Sequence, residues 1–233
     1  MTEARDQILD SIRASLGRGA LSGDAAAIPA ERLAQPPRNL IPARTDGLDR
    51  AQQVDFLKTK LLQAACTVDE AAGLAEVPAK IAAWLTRENL PARIIQAPAL
   101  AEGGDAVDWS AAPTVEVTTG TPDGSEETSV TAVFAAVSET GTLVLLSDST
   151  TPTGLNFLPE NHIALVRKSQ VVGPLEDAWA RLRADRPAAQ ASTQEMPRTV
   201  NLITGPSRTG DIEQKIQMGA HGPRRLHVIV IDD

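Results

Sequence analysis

The residues best suited to chemistry in this 233-residue chain lie in three short segments. The first is Thr204-Gly-Pro-Ser-Arg-Thr-Gly-Asp-Ile-Glu213, where a strand ending at Ile203 and a helix opening near Asp211 would leave a glycine-containing turn between them. Backbone N–H groups at a helix start lack intrahelical partners and carry partial positive charge. Gly205, Ser207 and Thr209 in such a turn can therefore receive an anion, and Arg208 adds a fork of donors suited to a carboxylate or phosphate. The simpler account needs no ligand: Ser207 or Thr209 caps the helix, and Asp211 and Glu213 complement its dipole. The second segment is Ser138-Glu-Thr-Gly-Thr142. Glu139 can serve there as base or nucleophile if burial or a neighbour tunes it, and Gly141, with Thr142 beside it, lets a ligand approach the backbone. A surface glutamate in a turn is the commoner case. The third comprises Asn156, Pro159, Glu160, Asn161 and His162, together with His221 in Gly219-Ala-His-Gly-Pro223. Either histidine can reach a ligand site. One histidine per segment, without a second ligand at metal spacing, gives no metal site, and each is equally suited to bonding a backbone carbonyl or finishing a helix. Neither a nucleophile elbow, a P-loop nor a dinucleotide glycine fingerprint is present.

The elements that must position these segments follow from periodicity. Ile8, Leu9, Ile12 and Leu16 form one stripe of an amphipathic helix over about Glu3–Leu16. Glycines 17, 19 and 23 and prolines 29, 36, 37 and 42 then predict a linker, so residues 1–47 read as helix plus flexible arm and residues 48–233 as the main domain. The exposed stripe either recruits a partner or packs on its own domain. Helices are expected from Leu48 to before Thr67, with Val54, Leu57, Leu61 and Leu62 on one face, and from Val77 to Leu90, with Ile81, Trp84 and Leu85 inward. Ala92–Gln96 and Thr114–Thr119 read as strands, and Ser129–Val137 as a buried strand or buried helix. Beyond them come strands at Gly141–Ser147 and His162–Arg167, a helix over Pro174–Arg183, a strand at Thr199–Thr204, a helix over Asp211–Met218 and a nearly all-apolar final strand, Leu226–Ile231, of the mid-sheet kind. Strand, helix and strand in that closing order imply a parallel crossover, and ligands of such folds usually sit at the carboxyl ends of the strands.

Composition sets outer limits. With 22 Lys and Arg against 30 Asp and Glu, the net charge of −8 opposes a nucleic-acid-binding surface, since Arg181, Arg183, Arg224 and Arg225 form no concentrated stripe. The one cysteine, Cys66, stands in an apolar context that favours a buried small hydrophobe over a nucleophile, and a lone thiol cannot hold an iron–sulfur cluster. Nothing approaches a membrane span of about 20 apolar residues, and the acidic start lacks the pattern of a secretory signal, so a cytoplasmic location is expected.

Taken together, Ser138-Glu-Thr-Gly-Thr142, Pro159-Glu-Asn-His-Ile163, Gly205–Glu213 and Gly219-Ala-His-Gly-Pro-Arg-Arg-Leu-His-Val228 resemble the LUD domain family of lactate utilization proteins. The resemblance runs from roughly Leu48 to the C-terminus and is most specific over residues 205–228. It implies an α/β fold in three layers, a mostly parallel sheet with helices on both faces, similar to the sugar-phosphate isomerase and CoA-transferase group. It also implies a part in L-lactate utilization, the oxidation of lactate to pyruvate, as a non-redox subunit rather than an independent enzyme. Iron–sulfur clusters would then reside on two sister subunits, with no cofactor bound by this chain. Ser138-Glu139-Thr140-Gly141 is also similar to the Ser-Glu-x-Gly that carries the catalytic glutamate of CoA transferases, without the Gly-Gly stretch those enzymes place downstream.

Overall fold

Alternating amphipathic helices and short apolar strands dictate a layered α/β molecule, and the structure, a computed structural model, describes residues 2–19, 21–35, 40–185, 196–212, 215–219 and 221–233 of it. Its helices are α1 (Thr2–Ser15), α2 (Asp24–Ala34), α3 (Arg50–Gln63), α4 (Val77–Arg87) and α5 (Leu175–Asp185). Its strands are β1 (Thr67–Ala71), β2 (Arg93–Gln96), β3 (Glu116–Thr119), β4 (Thr128–Ala132), β5 (Ala135–Val137), β6 (Thr142–Leu146), β7 (Asn161–Arg167), β8 (Val171–Val172), β9 (Val200–Ile203), β10 (Arg208–Ile212), β11 (Lys215–Met218) and β12 (Arg225–Ile231). No described helix is long and apolar enough to cross a membrane.

Six strands form the central sheet in the order β1-β12-β7-β4-β2-β3, every neighbouring pair parallel. β12 is paired on both sides, as its nearly all-apolar sequence requires. One face of the sheet is covered by α4, whose Ile81, Trp84 and Leu85 pack with Ile163, Leu165, Ile229 and Ile231. The other face carries α3 together with a second sheet, ordered β8-β5-β6-β9, which the sequence reading did not anticipate. α5 closes the far side of that sheet, setting Ala178 and Leu182 against Ala135, Val137, Val144 and Leu146. The α/β architecture with helices on both faces of a parallel sheet is thus the observed one.

α3 begins in a capping box: the Asp49 carboxylate accepts from Gln52 N at 2.9 Å, and the Gln52 side chain accepts from Asp49 N at 2.9 Å. Val54, Leu57 and Leu61 face the core, whereas Leu62 is exposed, because the buried stripe is narrower than its apolar sequence. Three local readings need correction. The proposed linker contains α2, where Asp24 in the first turn and three following alanines favour a helix that also accommodates Pro29; Pro36 and Pro37 lie outside the described residues. Ser129–Val137 is two strands in two different sheets, β4 and β5. The strand at Val200–Ile203 pairs antiparallel with β6 and not with β12, so no parallel crossover joins β9 to β12.

Candidate functional site

The decisive departure lies at residues 208–218. In place of a helix there is an antiparallel hairpin of β10 and β11, with Arg208 opposite Met218 and Ile212 opposite Lys215. A segment this short, with Gly210 inside it and Gly219 at its end, cannot hold a helix on its own, while pairing of β10 with β11 engages its backbone. The helix N-terminus expected to attract an anion is therefore absent, and neither Ser207 nor Thr209 is a cap. The Thr209 side chain and Glu213 lie outside the described residues.

Another concavity takes its place. A cavity of about 260 Å³ opens between Asn156, Phe157 and His162 on one side, Leu202 to Arg208 on a second, and His221 to Pro223 with Leu226 on a third. His162 and Leu226 are each the second residue of their strands, so the cavity lies at the amino ends of β7 and β12, not at the carboxyl ends. Gly205, Ser207, Arg208, His162 and His221 meet here.

Each is held by an identifiable contact. Gly205 has φ +88°, and a Cβ on it would sit 2.6 Å from the Ala64 carbonyl oxygen, so only glycine lets this turn pass beneath the end of α3. Arg208 Nη2 donates to that same carbonyl at 2.6 Å, finishing the helix with a cation and leaving the rest of the guanidinium exposed. The backbone of Ser207 donates to Pro223 O at 2.8 Å and accepts from Gly219 N at 2.9 Å, and its Oγ accepts from His221 N at 3.3 Å. Ser207 thereby fixes the Gly219–Pro223 loop that carries the exposed His221.

His162 is wholly buried. Its Nε2 lies 2.7 Å from Thr131 Oγ1, whereas Nδ1 is buried with no hydrogen-bond partner among the described residues. Burial pushes its pKa down to about 4, so the ring is neutral at physiological pH. Thr131 is the partner that sequence reasoning missed; its only trace is a polar residue two positions after Ser129 in an otherwise apolar run.

The Ser138–Thr142 segment forms the turn between β5 and β6. Glu139 is buried, 7% exposed, and its backbone N donates to Gly173 O at 3.2 Å, but it does not line the cavity. Gly141, at φ +72°, serves close packing: a Cβ there would stand 2.8 Å from Lys60 Cβ, so α3 approaches it closely. Thr142 connects to the cavity wall, its hydroxyl lying 2.7 Å from Thr204 Oγ1 and 2.7 Å from Thr140 Oγ1. Among the described residues no group of three or more His, Cys, Asp or Glu is placed to hold a metal ion. Cys66 is buried, and desolvation pushes its thiol up to about 12.

Comparison with known proteins gives this geometry a family. Lactate utilization protein C of Macrococcus caseolyticus (strain JCSC5402) is 36% identical over 111 residues, 47% of this chain and 46% of that protein. Lactate utilization protein C 1 of Bacillus mycoides (strain KBAB4) is 36% identical over 97 residues, 42% of this chain and 40% of that one. The chain thus spans less than half the length of these curated relatives. The crystal structure of a DUF162 family protein from Deinococcus radiodurans superposes with a TM-score of 0.58 at 24% identity, covering 79% of this chain and 99% of that one, which establishes the shared fold. The LUD domain model matches residues 59–231, from within α3 to the end of β12, and the chain therefore belongs to the LUD domain family.

Proposed function

We propose that this protein is a component of an L-lactate utilization system, a cytoplasmic subunit without a redox group of its own that acts beside iron–sulfur partner subunits. The observation that carries the reading is the LUD domain match over residues 59–231, alongside relatives that bear the name lactate utilization protein C. The single cysteine supports the division of labour, since one thiol cannot ligate a cluster that needs several. The subunit's own contribution is to bind a small carboxylate or phosphate anion in the cavity over His162, with Arg208 at the rim. In this reading Gly205 and Ser207 shape the wall, His221 sits at the edge of the mouth, and Thr142 braces Thr204.

The test is genetic and biochemical. A strain lacking the gene should fail to grow on L-lactate while growing normally on pyruvate, and the tagged protein should co-purify with cluster-bearing polypeptides. Normal growth on lactate rejects the reading. Anion binding is read by thermal stabilisation, because a ligand that binds only the folded state raises its apparent stability; the shift should disappear in Arg208→Ala.

The burial of Glu139 within Ser138-Glu-Thr-Gly141 favours one second reading, a CoA-transferase- or isomerase-like enzyme using that carboxylate. Loss of such activity in a folded Glu139→Gln protein would support it, and indifference to the change would remove it.

A further inference from the structure

Two surfaces of the molecule hold most of the large apolar side chains that stay in solvent among the described residues. One is the N-terminal arm, where Ile8, Ile12 and Leu16 run down one face of α1 and Ile8 is 62% exposed. The other is the rim of the cavity. Phe157 and Leu202 line its mouth, Leu158 follows Phe157 and is 61% exposed, and Met218 stands opposite Arg208 on the hairpin. Exposed apolar groups clustered in this way mark interaction surfaces, whereas scattered ones do not.

Each surface supplies what the other lacks. A helix of 14 residues is marginal in water by itself and depends on packing along its apolar stripe, yet the stripe of α1 lies in solvent. The rim is an apolar concavity of the kind that receives such a stripe, read as anchors at i, i+4 and i+8. Charge agrees with the pairing. Asp6 on α1 makes no ion pair among the described residues, and Arg208 on the rim has no carboxylate partner among them.

The course of the chain decides whose arm fills the rim. The arm joins the domain at the start of α3, where Thr45 is buried beside Gly173 and Arg50 donates to the Lys168 and Val171 carbonyls. The rim lies past the other end of α3, where Gly205 and Arg208 meet the Ala64 carbonyl. The 14 residues of α3 separate the two by about 21 Å, at about 1.5 Å per residue. The arm thus leaves the domain on the side away from its own cavity, and its stripe is uncovered in its own chain.

We propose that two copies of this chain exchange arms, α1 of each packing Ile8, Ile12 and Leu16 onto the Phe157, Leu158, Leu202 and Met218 rim of the other, with Asp6 beside Arg208. The contact is self-complementary, so a twofold axis forms it twice and closes the assembly as a dimer. Each cavity mouth is then roofed by the other copy's arm, whatever the cavity binds.

Sedimentation velocity of the full chain over a range of concentrations reads the association. A dimer is expected. Ile8→Asp with Ile12→Asp should weaken it roughly tenfold or more, as should Leu158→Asp with Leu202→Asp. Mixing the arm variant with the rim variant restores one of the two contacts, so the mixture should associate more tightly than either variant alone. All four side chains are exposed, so the changes spare the core. Should the rim variant still fail to fold, chains with Ile12→Cys mixed with chains with Leu202→Cys decide: under air oxidation a disulfide should join unlike copies faster than like ones, the buried Cys66 staying out of the reaction. A monomer at every concentration, or a dimer indifferent to the arm variant, overturns the proposal. Loss of the dimer in the arm variant but not in the rim variant overturns it too, because the arms would then pair with each other. So does a disulfide closed within a single chain that carries both cysteine substitutions, which would put the arm on its own cavity.

Discussion

The indole of Trp84 and the imidazole of His227 are stacked, with centroids 4.9 Å apart and planes 14° apart, on the face of the central sheet that α4 covers. Thr67 Oγ1 accepts from Trp84 Nε1 at 3.2 Å and lies 2.8 Å from His227 Nδ1. His227 Nε2 has Asp69 Oδ2 3.5 Å away, an electrostatic contact too long for a hydrogen bond. Burial outweighs that carboxylate and pushes the His227 pKa down to about 4.

His162 and His227 therefore share one response to acid. In the unfolded chain each binds a proton as the pH falls through about 6.5, whereas the fold keeps both neutral down to about 4. Their stabilisation is complete above pH 6.5 and declines as pH drops from there toward 4, on the order of 3 kcal/mol for each ring. Urea denaturation across that range should show a falling midpoint, with a shallower fall in His227→Phe. Equal stability at the two ends of the range would contradict the assignment.

Gly205→Ala should destabilise the fold by roughly 2–4 kcal/mol, combining left-handed backbone strain with a clash. The obstacle is backbone, the Ala64 carbonyl, and cannot rotate away. Gly141→Ala meets Lys60 in the same manner and should behave alike. Denaturant titration checks both; a loss under about 1 kcal/mol would show that α3 can shift.

With its thiol pushed up to about 12, Cys66 should resist alkylation at neutral pH. Labelling by iodoacetamide should therefore proceed at the rate of unfolding and accelerate in urea, as mass spectrometry can follow. Rapid labelling of the native protein would refute this.

Thr140, Thr142 and Thr204 share one chain of hydroxyl hydrogen bonds. Thr142→Val should cost about 1 kcal/mol, as should Thr204→Val, and the double variant should lose less than the sum, because both remove the same bond. Additive losses would mean that the hydroxyls act independently.

The parts of the molecule legible in the sequence are those whose spacing answers to a single constraint. Val54, Leu57 and Leu61 mark α3 because one helix face is buried, and the unbroken run Leu226–Ile231 marks β12 because both its faces are. The hairpin is illegible because a bulge between Thr209 and Ile212 breaks the two-residue alternation, while Ile212 and Ile216 stand at helical spacing. β1, Thr-Val-Asp-Glu-Ala, is an edge strand with little apolar content and carries no signal of its own. At the site, Gly205, Ser207, Arg208, His162 and His221 were recognisable as polar or glycine residues at element ends. The partners that define their roles, Ala64 and Thr131, lie far away in sequence, and only the closed fold shows that Arg208 finishes a helix and that His162 has one nitrogen to spare.

The strand order carries a kinetic consequence. Among the described residues β1 pairs only with β12, and the Thr67–His227 contact spans 160 residues. During synthesis the early strand must therefore wait, unpaired, until a further 160 residues have emerged. Parallel pairing across so wide a separation is slow and leaves apolar strands open to wrong partners in the meantime. The seven-residue strand β12 is thus the event that closes the central sheet, and a nascent chain stalled before it would hold the fragment β7-β4-β2-β3 and a lone β1 that cannot join it.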